Sequence, residues 1–461
     1  MFLKYQIRKP FSRKIRPATD ILIDVSARER FMEKYAPLFR RDPLAGALGT
    51  LAAVYAGEFD AADALMDRLI ESVPKDAFAK LFATSDIRKF MMAGLRDFYA
   101  AGGQLDGATA AHLKAFSAAF DPASRHVFDP PAYVDQEVPL RTFEYESAVP
   151  KALKIGIYFR SKFYPTSRPH DLAYRFKTAF EGAGAHSEIV EPDREPGRFV
   201  DCDIALIDDP HVFRKSTEDK RRFLEQVRKR TKSLVMLEMD PWAAGLHQRV
   251  ADNRDIYDVV WAMMPSLIGD DGTIDGLKAS SILFPVGAPE IFKRHRRVSA
   301  DMPGEVIKFC GGIEEYNFFR YFWVVGALAG AHPPTIEVTN HGVDNLSIAD
   351  SLDHYVKRLG SSHACLNFIR RASGETSMVG RTSDALCLQQ LLVQEASIEV
   401  RPYLTPGEHF LQFSTLEELD GICERLMINR QAFEGIRQSG ADYFARYYSD
   451  NAVLRHMATW C

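Results

Sequence analysis

From residue 153 onward, short apolar runs alternate with amphipathic stretches of helical period. The first cycle is "LKIGIYF" at 153–159, an amphipathic segment at 170–184 that ends at glycines, and "HSEIVEP" at 186–192. Apolar runs of this length indicate strands buried on both faces, and parallel strands need a crossover between them, usually a helix. The pattern therefore predicts right-handed βαβ units, in which ligands bind beyond the carboxyl ends of the strands.

The strand–helix pattern occurs twice, which predicts two doubly wound domains. Further strands of the first series are expected at 201–210, 233–241, 256–264 and 281–287. A second series has strands at 306–312, 335–340, 364–369 and 391–395, with helices at 317–330 and 351–360. A chain of 461 residues is also too long for one ordinary core. We expect an α/β protein with two tandem Rossmann-like domains, at 151–290 and 291–461, and a cleft between them.

The N-terminal part is helical in pattern and rich in alanine. Residues 28–125 contain little that is typical of strands, so an all-α accessory domain is expected there. Within it, "GEFDAADALMDRLIESVP" (57–74) resembles the second helix of a tetratricopeptide repeat. One such unit is found whereas stacked repeats need three or more, so a plain helical domain and a repeat array both stay open. A proline-rich linker is expected at 126–150 and a basic tail at 1–27.

The charge distribution limits the partners of the chain. The net charge of −4 gives no argument for nucleic-acid binding. The first sixteen residues, "MFLKYQIRKPFSRKIR", mix basic side chains with apolar ones and contain no acid. Two interpretations of this tail stay open, a solvated segment and a peripheral contact with an anionic membrane surface.

Cysteine usage and hydropathy favour the cytoplasm. The six cysteines are scattered, without C-x-x-C spacing or Cys/His clusters, which argues against a disulfide framework and against structural zinc. No apolar run approaches the ~18–20 residues of a membrane helix. The N-terminus lacks the apolar core of a signal peptide. A reducing cytoplasm is the expected location.

Four segments carry a resemblance to a known family. They are, in chain order, "ILFPVGAPEIF" (282–292), "IKFCGG" (307–312), "HYVKRLGSSHACLNFIRR" with "GRTSDALCLQQLLVQE" (354–371 and 380–395), and "TPGEHFLQFSTLEELDGICERLM" (405–427). Together they resemble GT-B glycosyltransferases, most closely the spore-maturation-type branch, over residues 153–455. The resemblance implies a nucleotide-sugar donor held by the C-terminal domain and an acceptor against the N-terminal domain, in bacterial protein or surface-polysaccharide glycosylation. It implies no metal and no cofactor in the site, which fits the absence of a D-x-D motif in a suitable loop.

The donor site is expected at the helix start within "VGRTSDALCLQQLLVQE" (379–395). The resemblance places Arg381 where a basic residue faces the donor's phosphates, and Asp384 where an acid binds the ribose hydroxyls. The residue types agree, because a guanidinium offers a rigid fork for phosphate and Gly380 opens a helix N-terminus that favours anions. The alternative is an exposed ion pair between Arg381 and Asp384, worth about 0.3–0.5 kcal/mol.

Further positions complete the predicted donor side. Gly311 and Gly312 follow a buried strand, either as a turn that approaches a phosphate or as a plain tight turn. Retaining members of the resembling family carry an acid eight residues before the ribose-binding acid, where this chain has Thr376. The neighbouring Glu375 is therefore expected either as a sugar contact or as a solvated loop acid. A second departure is Gln389, where a glycine usually closes the helix.

Acceptor-side chemistry is expected at the carboxyl edge of the first predicted sheet. His170 opens the helix after the first strand, and is either a base or sugar contact or a structural residue. Asp240, in "LEMDPW", is either the base that an inverting transferase needs or a turn residue that caps the next helix. Near the C-terminus, Ser414 with Glu417 predicts a capping box that fixes a helix start.

Three functions are compatible with this pattern. The first is a metal-independent glycosyltransferase that moves sugar from a nucleotide-sugar donor to a protein or glycan acceptor, with the accessory helices holding the acceptor. The second is a nucleotide-sugar epimerase, which shares the fold and the ligand but needs no acceptor module. The third is a non-catalytic GT-B-like protein that binds a partner, in keeping with the departures at Thr376 and Gln389.

Overall fold

The computed structural model describes most of two α/β units and part of the N-terminal helices. The described residues are 25–36, 43–72, 91–120 (without 93, 97, 100 and 101), 153–159, 172–208, 217–238, 245–299, 301–313, 318–338, 348–370, 376 and 380–461. The predicted linker at 126–150 and the predicted site residues His170, Asp240 and Glu375 lie outside them, as does most of the basic tail. No helix in the described parts of the chain is long and apolar enough to cross a bilayer.

The first α/β unit is built on a mainly parallel sheet. In the described residues its strands are β1 (Lys154–Tyr158), β2 (His186–Val190), β3 (Cys202–Asp208), β4 (Thr231–Glu238), β5 (Val259–Ala262), β6 (Thr273–Ile274) and β7 (Leu277–Ser280). Their spatial order is β2-β1-β3-β4-β5-β7-β6, and β6 pairs with β7 in the antiparallel sense. The chain turns to opposite sides after β1 and after β2, so a crevice is expected where β1 and β3 lie side by side.

The second α/β unit has a fully parallel sheet among the described strands. They are β8 (Glu305–Gly311), β9 (Thr335–Val338), β10 (Ser362–Asn367), β11 (Leu391–Glu395) and β12 (Leu411–Phe413). The order is β12-β11-β10-β8-β9, so the direction of winding switches between β8 and β10. The predicted α/β class is therefore confirmed, with one mainly parallel and one fully parallel sheet among the described strands. The edge strand β12 was not predicted from the sequence.

Helices flank the two sheets. They are α1 (Val25–Tyr35), α2 (Pro43–Ala56), α3 (Phe59–Ser72), α4 (Gly107–Phe120), α5 (Leu172–Gly182), α6 (Thr217–Arg228), α7 (Leu246–Asn253), α8 (Pro289–Arg294), α9 (Phe318–Leu328), α10 (Ile348–Leu359), α11 (Gly380–Cys387), α12 (Leu416–Asn429), α13 (Glu434–Tyr447) and α14 (Asp450–Ala458). Helix α10 shows why they form. Its buried residues Leu352, Tyr355, Val356 and Leu359 recur at helical spacing and make one apolar stripe.

The apolar run at 281–287 is not a strand, contrary to the sequence prediction. The last strand of the first sheet, β7, ends at Ser280, and the chain then leaves the sheet toward α8. Ile282 and Phe284 pack into the core of the first unit, whereas Leu283 and Val286 pack into that of the second. The run is apolar because it crosses between two cores, not because it pairs in a ladder.

The two ends of the described chain pack on units that are distant in sequence. Helix α4 lies against α9, and α1–α4 share one apolar core with a face of the second sheet. The last helix, α14, returns to the first sheet, where Met457 and Trp460 pack with Trp261 and Phe176. The Trp261 and Trp460 rings are 5.4 Å apart in an edge-on arrangement. Each sheet is thus covered partly by helices from the far end of the chain.

The predicted capping box exists one residue later than expected. Thr415 is the N-cap of α12, its side chain accepts from the amide of Glu418, and the Glu418 carboxylate reaches back to the amide of Thr415. The amide of Ser414 also donates to Glu418, at 2.5 Å. Both pairs, Ser414 with Glu417 and Thr415 with Glu418, have the required spacing, and only the backbone direction decides between them.

Helix α11 ends in a left-handed turn although no glycine is present. Gln389 has φ +57°, its amide donates to the carbonyl of Leu386 at 3.0 Å, and that of Gln390 donates to the carbonyl of Ala385 at 2.9 Å. These two bonds define a Schellman motif, in which glycine is the usual left-handed residue. The departure noted in the sequence at Gln389 is therefore a change of residue type without a change of backbone.

We expect Gln389→Gly to stabilise the protein by about 0.5–1 kcal/mol, because a left-handed side-chain-bearing residue costs ~1–2 kcal/mol and glycine loses part of this gain through its unfolded-state entropy. Equilibrium denaturation in urea measures the difference. Gln389→Ala is the control, since alanine keeps the left-handed cost. A gain from alanine equal to that from glycine would contradict the explanation.

A buried histidine makes the fold sensitive to acid. His363, on β10, is fully buried, and neither ring nitrogen has a hydrogen-bond partner among the described residues. Burial lowers the pKa of His363 from 6.5 to about 4. The unfolded chain therefore binds a proton that the folded chain resists, and the stability held above pH 6.5 is lost as the pH falls toward 4.

We expect the free energy of unfolding to fall by roughly 3 kcal/mol through His363 alone between pH 6.5 and 4. His363→Leu should reduce the dependence of the free energy of unfolding on pH in this range, which urea denaturation at several pH values measures. A residual slope is expected from His456, whose pKa burial also lowers to about 4. Replacing the exposed His186 by Gln should leave the slope unchanged, and an unchanged slope in His363→Leu would refute the assignment.

Candidate functional site

The carboxyl ends of the strands in the second sheet bring polar residues to one edge. β8 ends at Gly311, β10 at Asn367 and β11 at Glu395, and α11 begins at Gly380. Because parallel strands present their carboxyl ends at the same edge, residues from distant parts of the chain meet here. Asn367 and Glu395 are fully buried, whereas Gly380 is exposed. We take this edge as the candidate site.

Arg381 is held in one orientation beside the strand β8. Its Nη1 donates to Oδ1 of Asn367 at 2.8 Å, and its guanidinium carbon lies 4.9 Å from the centre of the Phe309 ring. The hydrogen bond and the cation–π contact constrain a planar group from two sides. Its Nε is buried without a hydrogen-bond partner among the described residues. A rigid guanidinium with an unused donor at a helix start is suited to binding an oxyanion.

The Asn367 amide that holds Arg381 is itself oriented by two neighbours. Its Nδ2 donates to Oγ1 of Thr382 at 3.1 Å and to Oε1 of Gln394 at 3.0 Å. The Thr382 hydroxyl donates to the same Gln394 oxygen at 2.6 Å, so it accepts from Asn367. Since both amide hydrogens of Asn367 are used, its oxygen faces Arg381. The buried Asn367 amide therefore orients the guanidinium of Arg381.

Gly311 gives the guanidinium room to approach the backbone of β8. A Cβ at this position would lie 2.1 Å from Nη2 of Arg381, much closer than two such atoms can pack. The carbonyl of the adjacent Gly312 accepts from Nη1 of Arg320 at 2.8 Å. Both glycines noted in the sequence thus lie next to arginine side chains. Contact of either one with a phosphate stays a prediction.

Asp384 lies inside the protein and not on the surface of the site. It is fully buried, its Oδ1 accepts from Nη2 of Arg175, and its Oδ2 accepts from the hydroxyl of Tyr355 at 3.1 Å. The exposed ion pair with Arg381, considered from the sequence, is not formed. Neither oxygen is open to a ribose in this structure, so the geometry does not support the expected ribose contact. The cause is Arg175 of α5, which no local pattern connects with α11.

The buried pair of Arg175 and Asp384 depends on mutual charge compensation. Burial lowers the pKa of Arg175, and the adjacent Asp384 carboxylate more than reverses this, so that the pKa ends above its ordinary value. Burial, and then the charge of Asp384, raise the pKa of Tyr355 well above its usual value. The phenol therefore stays protonated and remains a hydrogen-bond donor to the carboxylate.

A second buried ion pair fixes the chain as it leaves β10. Glu395 accepts from the amides of Ile369 and Arg370, at 2.9 and 3.1 Å, and from the indole of Trp323 at 2.9 Å. Its carboxylate also lies 3.0 Å from Nε of Arg370. Burial raises the pKa of Glu395, and Arg370 with the two amides opposes this rise. No role for Glu395 is predicted from the sequence, although an acid that ends a buried run at the carboxyl edge is a usable signal.

The carboxyl edge of the first sheet holds a buried acid that the sequence analysis missed. Glu238, the last residue of β4, is fully buried, and its Oε2 accepts from Nη2 of Arg249 at 2.6 Å. Glu238 follows Leu234 and Met236 at period-two spacing, so the three side chains lie on the same face of the sheet. It lies two residues before the predicted Asp240. The described residues contain no group of three or more His, Cys, Asp or Glu placed to hold a metal ion.

Comparisons with known proteins give no family assignment. No protein-family model matches the chain, and no curated protein matches its sequence. The similar solved structures include an alpha-glucosyltransferase in complex with UDP and a 13-mer DNA, at 9% identity and a TM-score of 0.46, over 66% of this chain and 98% of that one. HepE of Anabaena, solved with UDP and glucose, is 11% identical with a TM-score of 0.43, over 67% and 98% of the two chains. A likeness at this level supports no assignment of function.

A putative UDP-N-acetylglucosamine 2-epimerase from Listeria monocytogenes is also among the similar structures. It is 13% identical, with a TM-score of 0.36, and the match covers 66% of this chain and 97% of that one. Of these three structures, two were solved with UDP and the third is described as a putative epimerase. They do not decide between these activities for this chain.

We expect Gly311→Ala to weaken pyrophosphate binding about tenfold or more, because the new methyl group displaces the Arg381 guanidinium from its place over Phe309. Calorimetric titration with pyrophosphate measures the change. Gly421→Ala is the matched control, since a Cβ there meets nothing within 4 Å. Unchanged affinity in Gly311→Ala, with a normal melting temperature, would exclude Arg381 from the anion site.

Proposed function

We propose that the chain is a GT-B-type glycosyltransferase whose second α/β unit binds the diphosphate of a nucleotide sugar. The observation that carries the proposal is the immobilised guanidinium of Arg381 at the start of α11, whose Nε has no partner among the described residues. The resemblance of the segments around 282–427 to glycosyltransferases of this type supplies the chemistry. The anion site lies at the carboxyl edge of a parallel sheet, where the fold class places its ligands.

The chemistry of sugar transfer explains why a rigid arginine is needed. When the bond to the sugar breaks, negative charge concentrates on the departing nucleoside diphosphate. A donor already aimed at that charge stabilises the transition state without reorganisation. Arg381 is restrained by Asn367 and by the ring of Phe309, so it meets this requirement. The N–H groups of the first turn of α11 add to the same potential.

The acceptor is proposed to lie in the cleft on the side of the first sheet. Asp240 and His170 remain the candidates for removing the proton from its hydroxyl group. A carboxylate or imidazole suits this task when its pKa is near the working pH. In the sequence, Asp240 follows the last residue of β4 by two positions. The loop acid Glu375 is the matching candidate for a sugar contact on the donor side.

The helices α1–α4 are proposed to hold a protein or glycan acceptor. They share an apolar core with the second sheet, so an acceptor on their surface would move with the donor-binding unit. Such an arrangement would keep acceptor and donor together during opening of the cleft. A cytoplasmic location, a bacterial source and independence of metal ions belong to the same proposal.

The test begins with calorimetric binding of UDP, GDP, dTDP and CMP to the full chain and to Arg381→Met. We expect one nucleotide to bind tightly, and Arg381→Met to weaken it ten- to hundredfold, which corresponds to the ~1.5–3 kcal/mol of a charge-assisted hydrogen bond. Arg425→Met removes an exposed charge on α12 and serves as the control. Equal affinity in Arg381→Met and wild type would contradict the donor site.

Incubation with the matching nucleotide sugar then distinguishes the two enzymatic activities. Release of nucleotide that depends on an added acceptor, in EDTA as well as in magnesium, is the expected result. Conversion of the sugar without release of nucleotide would identify an epimerase. Absence of nucleotide binding in the whole panel would leave the non-catalytic, partner-binding function.

A further inference from the structure

Arg175 joins three separate parts of the chain through one guanidinium. It lies on α5 of the first unit and is 4% exposed. Its Nε donates to the carbonyl of Val286, in the connection between the units, at 2.6 Å, and its Nη2 pairs with Asp384 of α11. The guanidinium carbon also lies 5.7 Å from the centre of the Phe292 ring on α8. One buried side chain thus connects both units and the segment that links them.

The third nitrogen of this guanidinium faces the start of α11. Among the described residues, Nη1 of Arg175 has no hydrogen-bond partner, in contrast to its two other nitrogens. It lies 3.8 Å from the place that a Cβ of Gly380 would occupy. Gly380 is the first residue of the helix and precedes Arg381 directly. The first turn of α11 therefore lies close to the guanidinium of Arg175 from the first unit and carries the guanidinium of Arg381.

The connection beside Arg175 is held against α5 by direct contacts. Gly287 has φ +69°, and a Cβ there would lie 2.2 Å from the carbonyl oxygen of Arg175, so this backbone is in direct contact with α5. The amide of Ala288 donates to Oγ1 of Thr178, also on α5, at 2.9 Å. Asp450 accepts from the amide of Val286 at 3.0 Å. Little freedom is left between Arg175 and the connection.

The other end of the ion pair is equally fixed. Asp384 receives the Tyr355 hydroxyl from α10 at 3.1 Å, so its carboxylate cannot turn without breaking a second buried bond. Arg381 is one turn before Asp384 on the same helix, and its own orientation comes from Asn367 at 2.8 Å. A displacement of α11 at Asp384 would therefore move Arg381 relative to Asn367 and Phe309.

We propose that Arg175 is a positioning residue for the anion site. It sets the position of the first turn of α11, and with it that of Arg381, so that this position depends on how the two units are placed relative to each other. The inference rests on the proposed function, because the anion is the diphosphate bound by Arg381. Its consequence is that nucleotide affinity depends on a residue of the first α/β unit that does not itself contact the bound diphosphate. A purely structural clamp would change stability but would leave the contribution of Arg381 intact.

The experiment uses the full chain and avoids leaving a single buried charge unpaired. Removing one partner of a buried ion pair is strongly destabilising, whereas replacing both by apolar residues of similar volume is often tolerated. The variant is therefore Arg175→Met with Asp384→Leu, combined in a cycle with Arg381→Met. Calorimetry gives the affinity for the nucleotide selected by the panel, and thermal denaturation monitors the fold.

We expect the Arg175→Met/Asp384→Leu variant to bind nucleotide about tenfold or more weakly while melting within a few degrees of wild type. In this background, Arg381→Met should lower the nucleotide affinity less than about threefold, because Arg381 is already displaced. In wild type the same substitution should lower it about ten- to hundredfold. Arg175→Lys, which keeps the charge and loses the fork, should recover only part of the affinity.

Two outcomes would overturn the inference. If the Arg175→Met/Asp384→Leu variant binds as wild type does, or if Arg381→Met costs the same in both backgrounds, Arg175 is a structural clamp only. Failure of the proposed function looks different, since Arg381→Met would then have no effect in wild type either. If the double variant does not fold, Arg175→Lys replaces it in the same cycle. An equal loss of nucleotide affinity on Arg381→Met in the Arg175→Lys background and in wild type would then contradict the positioning role.

Discussion

The buried ion pair between Arg175 and Asp384 is the interaction on which the arrangement of the two units depends. Burying two charges costs several kcal/mol per ion, and the cost is recovered only when the geometry is good and the remaining lone pairs are satisfied. Here the carboxylate has a second donor in Tyr355, and the guanidinium has the carbonyl of Val286. The pair therefore favours one relative position of α5, the connection and α11 over others.

The candidate site follows from the same principle at the edge of the second sheet. Asn367, Gln394 and Glu395 are polar residues at the carboxyl ends of β10 and β11, and all are fully buried. Asn367 and Glu395 are hydrogen-bonded to neighbours from other parts of the chain. Gln394 accepts through Oε1 from Asn367 and Thr382, and its Nε2 has no partner among the described residues. Arg381 is held by this network through Asn367, and its Nε has no hydrogen-bond partner among the described residues.

The helices at both ends of the chain connect units that are far apart in sequence. The N-terminal helices complete the core over one face of the second sheet, and α14 completes that over the first. Apolar burial is not directional, so a sheet face accepts any helix with a suitable apolar stripe, irrespective of its place in the chain. Each sheet is formed by one continuous part of the chain, whereas some of the helices that cover it come from a distant end of the chain.

The sequence by itself determined the α/β class, the two series of parallel strands and the helix start at Gly380, since these depend on local periodicity and on residue types at helix ends. It also pointed to Arg381, Gly311 and Gly312. Tertiary structure alone decided that Asp384 is buried against Arg175, 209 positions away in the chain, and that 281–287 leaves the sheet. It also decided which of two equivalent pairs caps α12. Apolar spacing records that a residue is buried, but not which distant group it meets, because that partner is set by the packing of whole units.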